Sequence, residues 1–260
     1  MPLDRAQDEH VLSLLSGLKN SIAFMTVLPV GMDTDGAAQA ASYMPVFPLI
    51  GAGVGLAAGV IVWTLELILP RLVAGIVGLG CLVLINGAQH ADGLLDFGDG
   101  VMYHGSAREK LRVMRDPTTG AGGFSLGLII LSATAFSIVA IPQSMIVPIL
   151  VVSESAANYS MVLATSLSKS AHKGMNTFFV EAMRSRRLLR LILSLVIFVA
   201  ISLFALGMIG LAVTVGAILT GAGMAAISKR QFGGITGDVM GATNEISRLV
   251  SLLVTLVFLK

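Results

Sequence analysis

Leu72-Val-Ala-Gly-Ile-Val-Gly-Leu-Gly-Cys81-Leu-Val-Leu-Ile-Asn86-Gly-Ala-Gln-His90-Ala-Asp92-Gly-Leu-Leu-Asp96-Phe-Gly-Asp99-Gly100 is apolar in its first half and acidic in its second. Roughly 20 apolar residues at 1.5 Å each cross the hydrocarbon of a bilayer. The run near 72 to 91 therefore reads as a membrane span that delivers three carboxylates to one membrane face. If the helix continues through them, Asp92, Asp96 and Asp99 fall within about a 60° arc at roughly 100° per residue. Carboxylates so close repel one another, and at a helix C-terminus they also meet the dipole unfavourably. A hard divalent cation relieves both, since carboxylate oxygen is its preferred ligand and water or phosphate completes the shell. The spacing thus predicts Asp92, Asp96 and Asp99 as metal ligands. His90 lies about 160° around an ideal helix from Asp92. With an ordinary pKa near 6.5 it suits either a packed position or proton transfer beside the acids.

Outward from this stretch the same texture repeats. The 260 residues are 55% hydrophobic and 12% charged, more apolar surface than one soluble core of this length buries. The expected fold is all-α, a polytopic transmembrane bundle of about seven spans, near 44 to 69, 72 to 91, 122 to 141, 144 to 167, 188 to 206, 209 to 227 and 241 to 259. The mixed stretch Val11 to Val30 reads as an amphipathic helix at the interface. Asp4, Asp8 and Glu9 before it, and Ser16, Lys19 and Asn20 within it, argue against a cleavable signal. One domain is expected, with 1 to 43 as an interfacial segment and 44 to 260 as the bundle. Gly51, Gly55 and Gly59, at four-residue spacing, suit close helix packing.

Charge placement gives the orientation. Short joints at Pro70-Arg71, Pro142-Gln143 and Gly207-Met208 mark one side. Arg108, Lys110, Arg112, Arg115, Lys169, Lys173, Arg184, Arg186, Arg187, Lys229 and Arg230 fall on the other, which the positive-inside rule makes cytoplasmic. The N-terminus is then inside a cell membrane and Lys260 outside. The net charge is only +2, without a basic face suited to nucleic acid. Cys81 is alone, so neither a disulfide nor a thiolate-rich zinc site is available. The sequence leaves the oligomeric state open, a homo-oligomer included.

Three more clusters carry chemistry. Arg108-Glu-Lys-Leu-Arg112-Val-Met-Arg115-Asp116-Pro-Thr-Thr-Gly120-Ala-Gly122-Gly123 joins a basic helix to a glycine turn that opens a span. Arg112 and Arg115 share a helix face, and free N–H groups at the span's start suit phosphate oxygen. Gly233-Gly-Ile-Thr236-Gly-Asp238-Val-Met-Gly241-Ala-Thr-Asn244-Glu245 opens the last span from the same side. Asp238 and Glu245 are two turns apart on one face, and they suit a second set of metal ligands or a general base. Glu154, in Ser153-Glu154-Ser155-Ala-Ala-Asn158, falls deep in the fourth span. There an acidic side chain is either protonated or paired across helices, unless the span's boundaries lie elsewhere. Arg184, Arg186, Arg187 and Arg190 suit topology anchoring.

The succession Phe47-Pro48-Leu49, His90-Ala-Asp92-Gly-Leu-Leu-Asp96, Arg115-Asp116 and Gly233-Gly-Ile-Thr-Gly-Asp238 resembles the adenosylcobinamide-GDP ribazoletransferases, also called cobalamin synthases or cobalamin-5'-phosphate synthases. The resemblance implies a magnesium-dependent membrane enzyme that joins adenosylcobinamide-GDP to α-ribazole or its 5'-phosphate and releases GMP. It implies metal ligands Asp92, Asp96, Asp99 and Asp116, and catalytic residues Asp92, Asp238, Glu245 and His90. The implied substrate contacts are Asn86, Arg112, Arg115, Gly120, Gly122, Thr236 and Asn244. Asn158 stands where the resemblance leads one to expect an arginine. CDP-alcohol phosphotransferases and aromatic prenyltransferases also cluster aspartates around magnesium. This sequence lacks the former's Asp-Gly-x-x-Ala-Arg start and the latter's second Asp-x-x-x-Asp element. An ion-coupled transporter would place its ionisable residues at the midplane, where only Glu154 is expected.

Overall fold

The structure, a computed structural model, describes the backbone of residues 2–259 and the side chains of residues 12–259. Lys260, and the side chains of Asp4, Asp8, Glu9 and Val11, lie outside the described residues. Regular structure among the described residues is helical: α1 (Pro2–Met25), α2 (Gly36–Ser42), α3 (Phe47–Leu65), α4 (Arg71–Ile85), α5 (Gln89–Met102), α6 (Ala107–Val113), α7 (Ala121–Ala140), α8 (Ile146–Leu167), α9 (Met175–Arg184), α10 (Arg187–Leu206), α11 (Met208–Phe232) and α12 (Gly237–Phe258). A single parallel bridge, Ser170 to Ile235, ties two loops.

Helices α3, α7, α8, α10, α11 and α12 are long and apolar enough to cross a membrane; α4 and α5 pass the same test only as a pair, bent by 92° at their joint. The chain is therefore a polytopic helical bundle. One end has short joints between helices, and the other carries α1, α2, α5, α6 and α9. Along α1, Leu12, Leu14, Leu15 and Leu18 are exposed, while Asn20 and Ser21 are buried. Asn20 and Lys19 donate to Asp33 at 2.8 and 2.6 Å, fastening the following loop onto the helix. The helix stops at Met25, short of the expected Val30, because Pro29 has no N–H to continue it.

Lipid supplies no hydrophobic drive between spans, so close packing and polar contacts between helices hold the bundle. The face of Gly51, Gly55 and Gly59 lies against α8: a Cβ at Gly51 or Gly55 would strike the Glu154 or Leu150 carbonyl, and one at Gly59 would lie 2.9 Å from Val147 Cα. Helix α8 is the central helix, buried continuously from Val152 to Ser166. Ser160 donates to the Ala217 carbonyl at 2.9 Å and sits 2.6 Å from the Ser247 hydroxyl, joining α8 to α11 and α12. By contrast Leu188, Leu189, Ile192, Leu193 and Val196 of α10 are exposed, as a lipid-facing stripe requires.

Glu154 is paired across helices. Arg248 of α12, fully buried, binds both Glu154 of α8 and Glu245 of its own helix. The guanidinium expected on α8 near Asn158 is thus supplied from α12.

The expected second span, 72 to 91, does not run through. Helix α4 ends at Ile85, and α5 leaves at 92° to it. Gly87 and Ala88 make the corner with φ of 61° and 59°, the left-handed region that glycine enters readily. The acidic residues therefore begin a new helix instead of ending an old one. Asp92 sits in the first turn of α5, where the dipole favours a negative charge.

Candidate active site

Helix α5 crosses the loop-end starts of α12 and α7 and lies outside the spans. Small residues set its depth. A Cβ on Gly93 would lie 2.8 Å from the Asp238 carbonyl oxygen, and one on Gly241 would lie 3.1 Å from His90 Cα. This close crossing brings Asp92 and Asp96, from one motif, against Asp238 from another.

Asp99 turns the other way. Its two carboxylate oxygens accept from the Gly120 and Gly123 N–H groups at 2.7 and 2.8 Å, capping the start of α7. The glycine turn expected to hold substrate phosphate is occupied by this carboxylate, and Gly122 packs against the Gly98 carbonyl of α5. Asp99 is accordingly a structural cap. Asp116 folds back onto the Thr118 N–H at 2.9 Å and is exposed, apart from the acids around Asp96.

Asp96 feels the cluster most. Partial burial, then the charges of Asp238, Asp92 and Asp99, push its carboxyl up to about 7. Such crowding of negative charge is what a divalent cation relieves. Among the described residues no three His, Cys, Asp or Glu side chains converge as a preformed cage. Asp92, Asp96 and Asp238 are the carboxylates whose charges reach one another, and a magnesium ion bound by one or two carboxylates together with water and phosphate would be held by these residues.

Two cavities lie nearby, and Asp92 and Asp238 line the smaller of them. One, open to solvent and of about 770 Å³, is lined by Arg108, Arg112, Arg115, Asp116 and His172. Helix α6 positions these arginines. Its start is a capping box, with Ser106 N–H donating to Glu109 at 2.8 Å, and Lys110 fixes it to Gln231 of α11 at 2.6 Å. The charges of Arg115 and His172 reach Asp238. The other cavity, of about 260 Å³, lies under Asp92 and Asp238 and is walled by Phe24, Met161, Phe179, Met240 and His90. His90 is 8% exposed; burial pushes it down to about 4, which favours the neutral imidazole with a single ring N–H.

The remaining expected residues lie deeper or serve structure. Thr236 caps α12 by accepting from Val239 N–H at 3.2 Å, and donates to Asp238 at 3.2 Å, orienting that carboxylate. It is 1% exposed. Asn244 accepts from Arg248 at 3.0 Å, and Glu245 is bound to the same guanidinium. Both are buried two turns beneath Asp238, so Glu245 is not placed as an open general base, nor Asn244 as a substrate contact. Asn86 is buried at the corner after α4.

Sequence reasoning missed His172, Asn176, Phe179 and Arg248. Asn176 donates to the Ile235 carbonyl at 2.8 Å and holds the loop before Asp238. An arginine three residues after an intramembrane glutamate was the available signal for Arg248; the others carry no local signature.

Comparison with known proteins agrees with the motifs. The cobalamin-5-phosphate synthase family model matches residues 17–256. The adenosylcobinamide-GDP ribazoletransferase of Methanocella arvoryzae is 34% identical over 261 residues, covering 92% of this chain and 95% of that protein. The proteins of the same name from Methanosarcina mazei and Thermococcus kodakarensis are 27% and 31% identical, over 95% and 91% of this chain and 94% and 96% of their own lengths. No solved structure gives a significant match. With motifs, a family match over nearly the whole chain and relatives alike end to end, the chain belongs to the cobalamin-5-phosphate synthase family.

Proposed function

We propose that this protein is an adenosylcobinamide-GDP ribazoletransferase, acting on α-ribazole or its 5'-phosphate at the cytoplasmic face of the cell membrane. The observation that carries the mechanism is the convergence of Asp92, Asp96 and Asp238, with Asp92 and Asp238 lining one cavity and Arg115 and His172 of the other acting on Asp238 through their charge. Arg112 and Arg115 line the open side and suit the diphosphate of the donor. The narrow side suits the acceptor. A ribose hydroxyl of the acceptor attacks the phosphorus attached to the corrinoid. The new O–P bond forms as the P–O bond to the guanylate breaks, and GMP leaves with that electron pair. Asp238, held by Thr236, receives the hydroxyl proton. Magnesium held by Asp92 and Asp96 would neutralise diphosphate charge and orient the phosphoryl group. The basic residues gathered at the loop-rich end support the cytoplasmic orientation.

The test is GMP release by purified protein in liposomes given adenosylcobinamide-GDP, α-ribazole and magnesium. GMP and a corrinoid phosphodiester in equal amounts, abolished by chelation, are expected. Well-folded protein that releases no GMP with either acceptor would overturn the assignment.

A further inference from the structure

The structure assigns the 260 Å³ cavity beneath Asp92 and Asp238 to the aromatic base of the acceptor nucleoside, with His90 as the residue that recognises the base's unsubstituted ring nitrogen. This rests on the proposed transferase reaction and adds to it which half of which substrate is held, and how it is selected.

The walls combine sulfur and aromatic carbon with the polar side chains of Gln89, His90, Asp92, Asn176 and Asp238. Met161, Phe179 and Met240 are 2%, 1% and 5% exposed, and Phe24 and Phe179 meet with ring centroids 4.9 Å apart. Thioethers and tilted rings favour a flat apolar guest. In this lining one buried polar atom has no protein partner: Nδ1 of His90. Buried polar atoms left unpaired are uncommon and call for a partner. A neutral imidazole with its proton on Nδ1 offers one donor, and no second donor or acceptor is needed from the guest.

The substrates are distinguished by that inventory. A corrinoid macrocycle is too large for 260 Å³. Guanine carries amide and amino groups along its edge, which the Met161, Phe179 and Met240 walls cannot satisfy. The benzimidazole of ribazole is two apolar rings with one accepting nitrogen. Seated there, it brings its ribose within the same cavity that Asp92 and Asp238 line.

The measurement is steady-state kinetics of the full chain in liposomes, with acceptor and donor varied separately. Phe179→Leu and Met240→Phe are expected to raise the acceptor KM about tenfold and to leave the donor KM within about twofold. His90→Ala raises the acceptor KM similarly, and His90→Asn, whose amide N–H replaces Nδ1–H, restores much of it. An indole riboside, lacking the ring nitrogen, is about tenfold poorer than the benzimidazole riboside for wild type and no poorer for His90→Ala. Equal changes in both KM values, or indole and benzimidazole ribosides used equally by wild type, would overturn the assignment. Calorimetric titration of α-ribazole into the purified protein separates this from the reaction itself. Binding weakened by Phe179→Leu upholds the cavity even if no GMP forms, and no binding to wild type sinks it.

Discussion

Replacing Arg248 by methionine leaves Glu154 and Glu245 facing each other in the bundle without a counter-charge. Arg248 is fully buried and binds Glu154 through two nitrogens, Glu245 through a third and Asn244 at 3.0 Å. Removing one partner of a buried pair costs about 3–5 kcal/mol, mostly from the stranded charge. One of the two carboxylates takes up a proton, so the loss stays near that of a single pair. At about 2–4 °C per kcal/mol for a chain of this size, melting should fall by roughly 6–20 °C. The double variant Arg248→Met, Glu154→Gln removes half the stranded charge, and should be more stable than Arg248→Met alone. Thermal scans of detergent-purified protein, read by loss of the monodisperse species, measure Arg248→Met, Glu154→Gln and the double variant. A fall below about 3 °C for Arg248→Met, or single effects that simply add in the double variant, would refute the pairing argument.

Asp99→Asn weakens two charge-assisted bonds at the start of α7 and should cost about 1–2 kcal/mol in melting assays without raising the magnesium requirement. Asp92→Asn and Asp238→Asn should instead cut GMP release by about a hundredfold or more with near-native melting; unchanged turnover would remove either residue from the mechanism. Asp96, held near 7 in the metal-free protein, binds its proton more tightly than an unfolded carboxyl does. Metal-free stability should therefore decline as pH rises from about 4 to 7. Magnesium affinity, read by titration, should rise by up to about tenfold per unit toward pH 7 and then level off, whereas a flat profile from 5.5 to 8.5 would contradict the crowding. Gly55→Leu drives a side chain into the Leu150 carbonyl of α8 and should cost about 3 kcal/mol or more, seen as loss of monodisperse protein.

The spans were legible because crossing a bilayer is a property summed over about 20 consecutive residues, with no knowledge of neighbours. The grouping of Asp92, Asp96 and Asp99 on one helix was equally local, a matter of 3.6-residue periodicity. Their roles were not. Asp99 was indistinguishable in sequence from Asp92, but only Asp99 meets the N–H groups of α7. Glu245 read as a metal ligand or a base, whereas it is bound by Arg248 three residues on, a guanidinium shared with Glu154, which lies 94 residues away in the chain. Thr236 and Asn244, polar residues in a motif rich in chemistry, were expected to touch substrate, and they hold Asp238 and Arg248 instead.

By itself, then, the sequence determined an all-helical polytopic membrane protein, the end at which its polar motifs gather and the family it resembles. These follow from composition, periodicity and motif order along the chain. The corner at Gly87 and Ala88, the meeting of α5 with Asp238, the division of the carboxylates between capping and an open site, and the cavity closed by Phe24 of α1 and Phe179 of α9 were decided only in the folded bundle. Each joins residues far apart in the chain. Which of several chemically equivalent side chains meet is set by helix packing, where a single glycine at a crossing fixes the depth to within an ångström or so.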